Sequence, residues 1–72
     1  MPEQIFQKLK ENWPSPIVAR HEVGNFSGGL LNPRTMANCD SLGTGVPGKI
    51  TIGRRVAYSV DDLIKWMQER AA

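Results

Sequence analysis

Arg34, Thr35, Asn38 and Ser41 follow one another at steps of one, three and three residues, with Asn38 four beyond Arg34, which on a helix places them along one face. All four can hydrogen-bond. An arginine can fork onto guanine, an asparagine side-chain amide can pair with adenine at two points, and a serine or threonine hydroxyl can bond a base or a phosphate. A second group follows at Lys49, Arg54 and Arg55. Gly53-Arg54-Arg55 separates two β-branched segments, so two guanidinium groups are expected at the tip of a hairpin. Such a tip can bind phosphates or reach into a minor groove. Each group also has a plainer reading: the first as a solvated polar helix face, the second as a charged turn that maintains solubility.

Other chemistry finds less support. Gly43-Thr44-Gly45-Val46-Pro47-Gly48-Lys49 matches most of the phosphate-loop pattern G-x-x-x-x-G-K-[ST]. However, Ile50 stands where a magnesium-binding hydroxyl is needed, and a strand is predicted where the motif requires a helix. His21 lies beside Glu22, with no nucleophile placed near it by sequence. One cysteine and one histidine make neither an internal disulfide nor a plausible zinc site. Cys39 is expected to be half-buried for packing, and Tyr58 and Trp66 read as core anchors. A stacking platform for single strands would need aromatics gathered on one element. Neither a catalytic group nor a metal or cofactor site is expected, so the chain does not read as an enzyme.

The bulk properties agree. Seventy-two residues allow one small domain, which buries roughly 60% of its unfolded surface. A deep catalytic pocket would take much of that core. Hydrophobic content of 40% and charged content of 22% are ordinary for a globular chain. No apolar run approaches the roughly 18 residues of a membrane span, and the charged start is unlike a signal peptide. A reducing, cytoplasmic setting is the expectation. Net charge is only +2, but it is unevenly spread. Residues 33–58 hold Arg34, Lys49, Arg54 and Arg55 against Asp40 alone, while basic and acidic residues balance in 1–32. A basic middle third is the footprint expected of phosphate contacts.

These residues need elements to position them. Ile5, Phe6, Leu9 and Trp13 recur at helical spacing, predicting a helix over 2–13 that Pro14 and Pro16 stop. A second short helix is predicted over Arg20–Phe26, with Val23 and Phe26 inward and Ser27-Gly28-Gly29 as a turn. Asn32-Pro33 opens a third helix that runs to Leu42 and stops at Gly43. A hairpin over 49–52 and 56–58 is predicted with a three-residue loop. That register sets Ile52 opposite Val56 and Ile50 opposite Tyr58, gathering the apolar side chains on one face. Ser59 and Asp62 make a capping arrangement for a last helix with Val60, Leu63, Ile64, Trp66 and Met67 on its inner side.

Residues 17–70 resemble the excisionase-like, MerR-related winged helix-turn-helix family, which includes phage excisionases and AlpA-type regulators. The resemblance is carried by Asn32-Pro33-Arg34-Thr35-Met36-Ala37-Asn38 at the start of the recognition helix. It continues in Ile52-Gly53-Arg54-Arg55-Val56-Ala57-Tyr58 for the wing and Val60-Asp61-Asp62-Leu63-Ile64-Lys65-Trp66-Met67 for the last helix. Cys39 departs from the family by replacing a common aromatic, and the turn Ser27–Leu31 is longer than usual. The resemblance implies a helix in the major groove and a wing on the adjacent backbone or minor groove. It also implies a role in recombination, transcription control or DNA packaging of phages and mobile elements.

The expected architecture is thus a mostly helical α+β winged helix-turn-helix over 17–72 with a two-stranded hairpin wing. A helix and proline-containing connector over 1–16 precede it. The expected function is sequence-specific double-stranded DNA binding as an excisionase-like or AlpA-like regulator. The recognition helix would supply Arg34, Thr35, Asn38 and Ser41, and the wing Lys49, Arg54 and Arg55. An integrase or other mobile-element protein is the protein partner that the resemblance implies, with cooperative multimers on DNA as one assembly. The alternative is a protein-interaction adapter that uses the N-terminal helix.

Overall fold

A computed structural model describes residues 2–70 of the chain. The element order is α1 (Pro2–Asn12), β1 (Ile17–Ala19), a 3-10 turn (Arg20–Glu22), α2 (Val23–Phe26), α3 (Pro33–Leu42), β2 (Ile50–Ile52), β3 (Arg55–Ser59) and α4 (Val60–Arg70). This is an α+β architecture whose three strands form one antiparallel sheet in the order β1-β3-β2.

The core is organised on α4. Its stripe of Val60, Leu63, Ile64, Trp66 and Met67 is buried throughout. Burying five large apolar side chains from one helix contributes on the order of 10 kcal/mol of gross transfer free energy. Against this stripe lie Val18 and Tyr58 from the sheet, Val23 and Phe26 from α2, Met36 from α3 and Val46 from the loop before β2. The Ser59 hydroxyl accepts from the Asp62 amide at 3.3 Å, the predicted cap. The Val60 amide donates to the Pro16 carbonyl at 3.0 Å, tying the start of α4 to the proline connector.

The N-terminal helix packs on α4. Phe6, Leu9 and Trp13 are partly buried against the core, and Lys10 pairs with Asp61 at 2.7 Å. The Trp13 ring meets Phe26 edge-on at 5.3 Å, and its indole N–H donates to the Ile17 carbonyl at 2.8 Å. Ile5 does not join this face and is exposed.

The sheet differs from expectation in two ways. It has three strands rather than a two-stranded hairpin, because Ile17–Ala19 pairs with the other side of β3, Val18 opposite Tyr58. The hairpin register is also the one the sequence argued against. Ile52 faces Arg55, Thr51 faces Val56 and Ile50 faces Ala57, joined by the two-residue turn Gly53-Arg54. Gly53 has φ of 61° and, among the described residues, no non-glycine residue has positive φ, the pattern of a type II′ turn, whose twist matches that of the flanking strands. The apolar side chains are therefore split. Tyr58 is buried with Val18, whereas Ile50 and Ile52 lie on the outer face at 37% and 73% exposure. The predicted second helix also changes character, opening as the 3-10 turn before its single α-helical turn.

Candidate nucleic-acid interface

Local chemistry starts and ends α3 where the sequence indicates. The Asn32 side-chain oxygen accepts from the Thr35 amide at 2.8 Å, with Pro33 as the first helical residue. At the other end Gly43 adopts φ of 78°, its amide donates to the Asp40 carbonyl, and the Thr44 amide donates to the Cys39 carbonyl at 2.9 Å. This is a Schellman ending, which glycine makes possible at no steric cost. Met36 is fully buried and fixes the helix's rotation. Arg34, Thr35, Asn38 and Ser41 consequently all stand exposed on the opposite side, together with Leu42.

The turn that sets α2 against α3 is pinned by Ser27, which is buried. Its hydroxyl donates to the Val23 carbonyl at 2.7 Å and accepts from the Leu31 amide at 2.9 Å. Gly28 and Gly29, at φ of 66° and 93°, complete the wide turn.

Lys49 lies exposed just before β2, and Arg54 lies exposed in the hairpin turn. Arg55, expected in the loop, is instead the first residue of β3 and also exposed. Among the described residues, none of the seven predicted site side chains has a hydrogen-bond or ion-pair partner within the protein. Their donors and charges are free for an external ligand. The phosphate-loop-like segment Gly43–Lys49 leads directly into β2, so no helix follows to aim amides at a phosphate.

The contact that joins α3 to the sheet was not predicted. Asp40 stands one turn beyond Met36, on the inner side of α3, and its side chain is only 5% exposed. Its Oδ2 accepts from Arg20 Nη2 at 2.5 Å and from the Tyr58 hydroxyl at 2.7 Å. Arg20 Nε in turn donates to the Tyr58 oxygen at 3.1 Å. Burial pushes the Tyr58 phenol above the ordinary tyrosine range; donation to Asp40 adds to this and Arg20 opposes it. The Arg20 guanidinium is held above its ordinary value chiefly by the hydrogen bond to Tyr58, with burial opposing and Asp40 assisting. Gly45 makes room for the cluster, since a Cβ there would fall 2.0 Å from Asp40 Oδ1.

This cluster has an electrostatic consequence. Asp40 is the sole carboxylate between Glu22 and Asp61, and Arg20 neutralises it inside the fold. Arg34, Lys49, Arg54 and Arg55 are left without an exposed acid in their own stretch of chain. The sequence held one signal for this: the Met36–Asp40 spacing of four directs the carboxylate inward. Nothing in the local pattern named Arg20 or Tyr58 as its partners.

A second hub holds the other end of α3. The Thr44 carbonyl accepts from the Trp66 indole at 3.0 Å and from Arg70 at 2.7 Å, and the Arg70 guanidinium lies 4.4 Å from the Trp66 ring centroid. Among the described residues no group of three or more His, Cys, Asp or Glu side chains is placed to hold a metal ion, and no helix is long and apolar enough to cross a membrane. His21 is exposed and Cys39 half-buried. No family model, curated protein or solved structure matches this chain.

Proposed function

We propose that this chain binds double-stranded DNA as a small winged helix-turn-helix, with α2, the Ser27–Leu31 turn and α3 as the helix-turn-helix and the β2–β3 hairpin as the wing. The observation that carries this reading is the withdrawal of Asp40 into its pair with Arg20. That pairing leaves an exposed set of Arg34, Thr35, Asn38, Ser41, Lys49, Arg54 and Arg55 that is cationic and rich in donors. Arg34, Thr35, Asn38 and Ser41 read base edges from α3, while Lys49, Arg54 and Arg55 hold the backbone. The sequence resemblance points the same way, to an excisionase-like or AlpA-like regulator of a phage or mobile element. The adapter alternative is weakened because Phe6, Leu9 and Trp13 of the N-terminal segment are already engaged on the core.

The test is a titration against random duplex DNA at several salt concentrations. With the charge of Arg34 counted beside those of Lys49, Arg54 and Arg55, about four neutralised phosphates give a slope of log affinity against log salt of about −4. A slope near zero, or no binding at low salt, refutes the DNA reading.

A further inference from the structure

Ile52 is 73% exposed and ends β2, immediately before the Gly53-Arg54 turn. Its cross-strand partner is Arg55, and directly opposed residues of an antiparallel pair project on the same face. A bare apolar side chain thus stands at the hairpin end, with Arg54 two residues along the chain and Arg55 across from it. β2 is also an edge strand, where an exposed isoleucine invites unwanted strand pairing and a polar residue would be the safer choice. Ile17 and Ile50, on the same outer face, are far more covered, at 40% and 37%.

The chemistry around Ile52 selects its occupant. Two guanidinium groups beside it favour a polyanion over a neutral apolar surface. Proteins that enter the DNA minor groove commonly combine basic side chains with an apolar wedge that parts two stacked base pairs. Isoleucine suits a wedge because its branched Cβ leaves few χ1 rotamers, so little side-chain freedom is lost on insertion. The tight turn keeps it on a short, stiff arm.

We propose that Ile52 inserts into the minor groove and unstacks one base step, kinking the duplex, while Arg54 and Arg55 hold the flanking backbone. This rests on the DNA-binding reading above and adds to it a deformation of the DNA. Flexible pyrimidine–purine steps are then preferred at the insertion point, since they are the easiest to unstack.

The experiment uses a duplex of about two helical turns with a central TA step and a fluorescence donor and acceptor at its ends. Wild-type protein raises the energy transfer, reporting a kink of roughly 20–90°. Ile52→Ser melts as wild type does, because the side chain is exposed. It binds about tenfold more weakly, the factor expected from losing most of one isoleucine's burial. It also leaves the duplex straight and keeps the wild-type salt slope, since no charge has changed. Wild-type binding that leaves the duplex straight overturns the wedge, as does a serine variant that binds and bends like wild type; either result leaves the DNA reading intact. Absence of wild-type binding at low salt refutes both.

Discussion

The Tyr58 hydroxyl donates to Asp40 Oδ2 at 2.7 Å, and this bond fastens α3 to the central strand of the sheet. Asp40 lies on the inner side of the helix whose outer side carries Arg34, Thr35, Asn38 and Ser41. The orientation of those exposed side chains relative to the hairpin therefore depends on a buried polar contact from which none of them is made.

Asp40→Ala removes the acceptor for both Tyr58 and Arg20. Arg20 keeps its bond to the Tyr58 oxygen, but the phenol proton and the guanidinium charge lose the carboxylate that both bind. The loss should be about 2–3 kcal/mol, toward the lower end for a broken buried pair because Arg20 keeps some contact with water. Denaturant unfolding of the variant measures it. A change below about 0.5 kcal/mol, the usual effect of an ordinary surface substitution, would show that the cluster does not support the fold.

Gly45→Ala should reproduce most of that loss without removing a polar group. Its Cβ would lie 2.0 Å from Asp40 Oδ1 and 3.1 Å from Asp40 Cα, so the carboxylate must swing away from Tyr58. Gly45→Ala combined with Asp40→Ala should cost clearly less than the two single changes added together, since one contact is being removed twice. Simple additivity in the double variant counts against this coupling.

Tyr58 also predicts an alkaline transition. Its folded pKa is raised by burial, whereas an unfolded tyrosine titrates at about 10. The folded state therefore keeps the proton longer. The stability this contributes is complete below about pH 10 and is lost as pH rises from there through the folded value. The chain has a single tyrosine, so phenolate absorbance reports this group alone. Folded protein titrating at the ordinary value, before any unfolding, contradicts the assignment.

Trp66→Ala should unfold or nearly unfold the domain. Trp66 is 6% exposed and bonds the Thr44 carbonyl. Truncating a large buried aromatic costs about 3–5 kcal/mol, a large part of the roughly 4–11 kcal/mol that a domain of this size holds in total. A normal melting transition in this variant would remove Trp66 from the core's main supports.

Base reading and backbone anchoring should separate on mutation. Asn38→Ala is expected to cost about 1–3 kcal/mol on a selected site and much less on scrambled DNA. Arg54→Ala or Arg55→Ala should weaken both DNAs alike and reduce the salt slope by about one. Affinities of each variant on both DNAs, at several salt concentrations, decide the matter. If Asn38→Ala weakened both equally while an arginine change erased only the preference, the roles of helix and wing would be reversed.

The sequence by itself determined what depends on near neighbours. Asn32 and Pro33 start α3, Gly43 ends it, Ser59 caps α4, and helical spacing sorts Val60, Leu63, Ile64, Trp66 and Met67 inward and the four α3 candidates outward. Each of these follows from hydrogen bonds or side-chain periodicity within one or two turns. The tertiary structure decided what depends on distant partners. Ile17–Ala19 is too short to show a period, and it is a strand because β3 offers it a free edge. The hairpin register followed the turn geometry of Gly53 and the burial of Tyr58 against Val18, not the gathering of every apolar residue on one face. Asp40 became the anchor of α3 because Arg20 and Tyr58, twenty and eighteen residues away, fold onto it. A buried charge requires partners to satisfy it, but its own surroundings in the sequence do not say where they will come from.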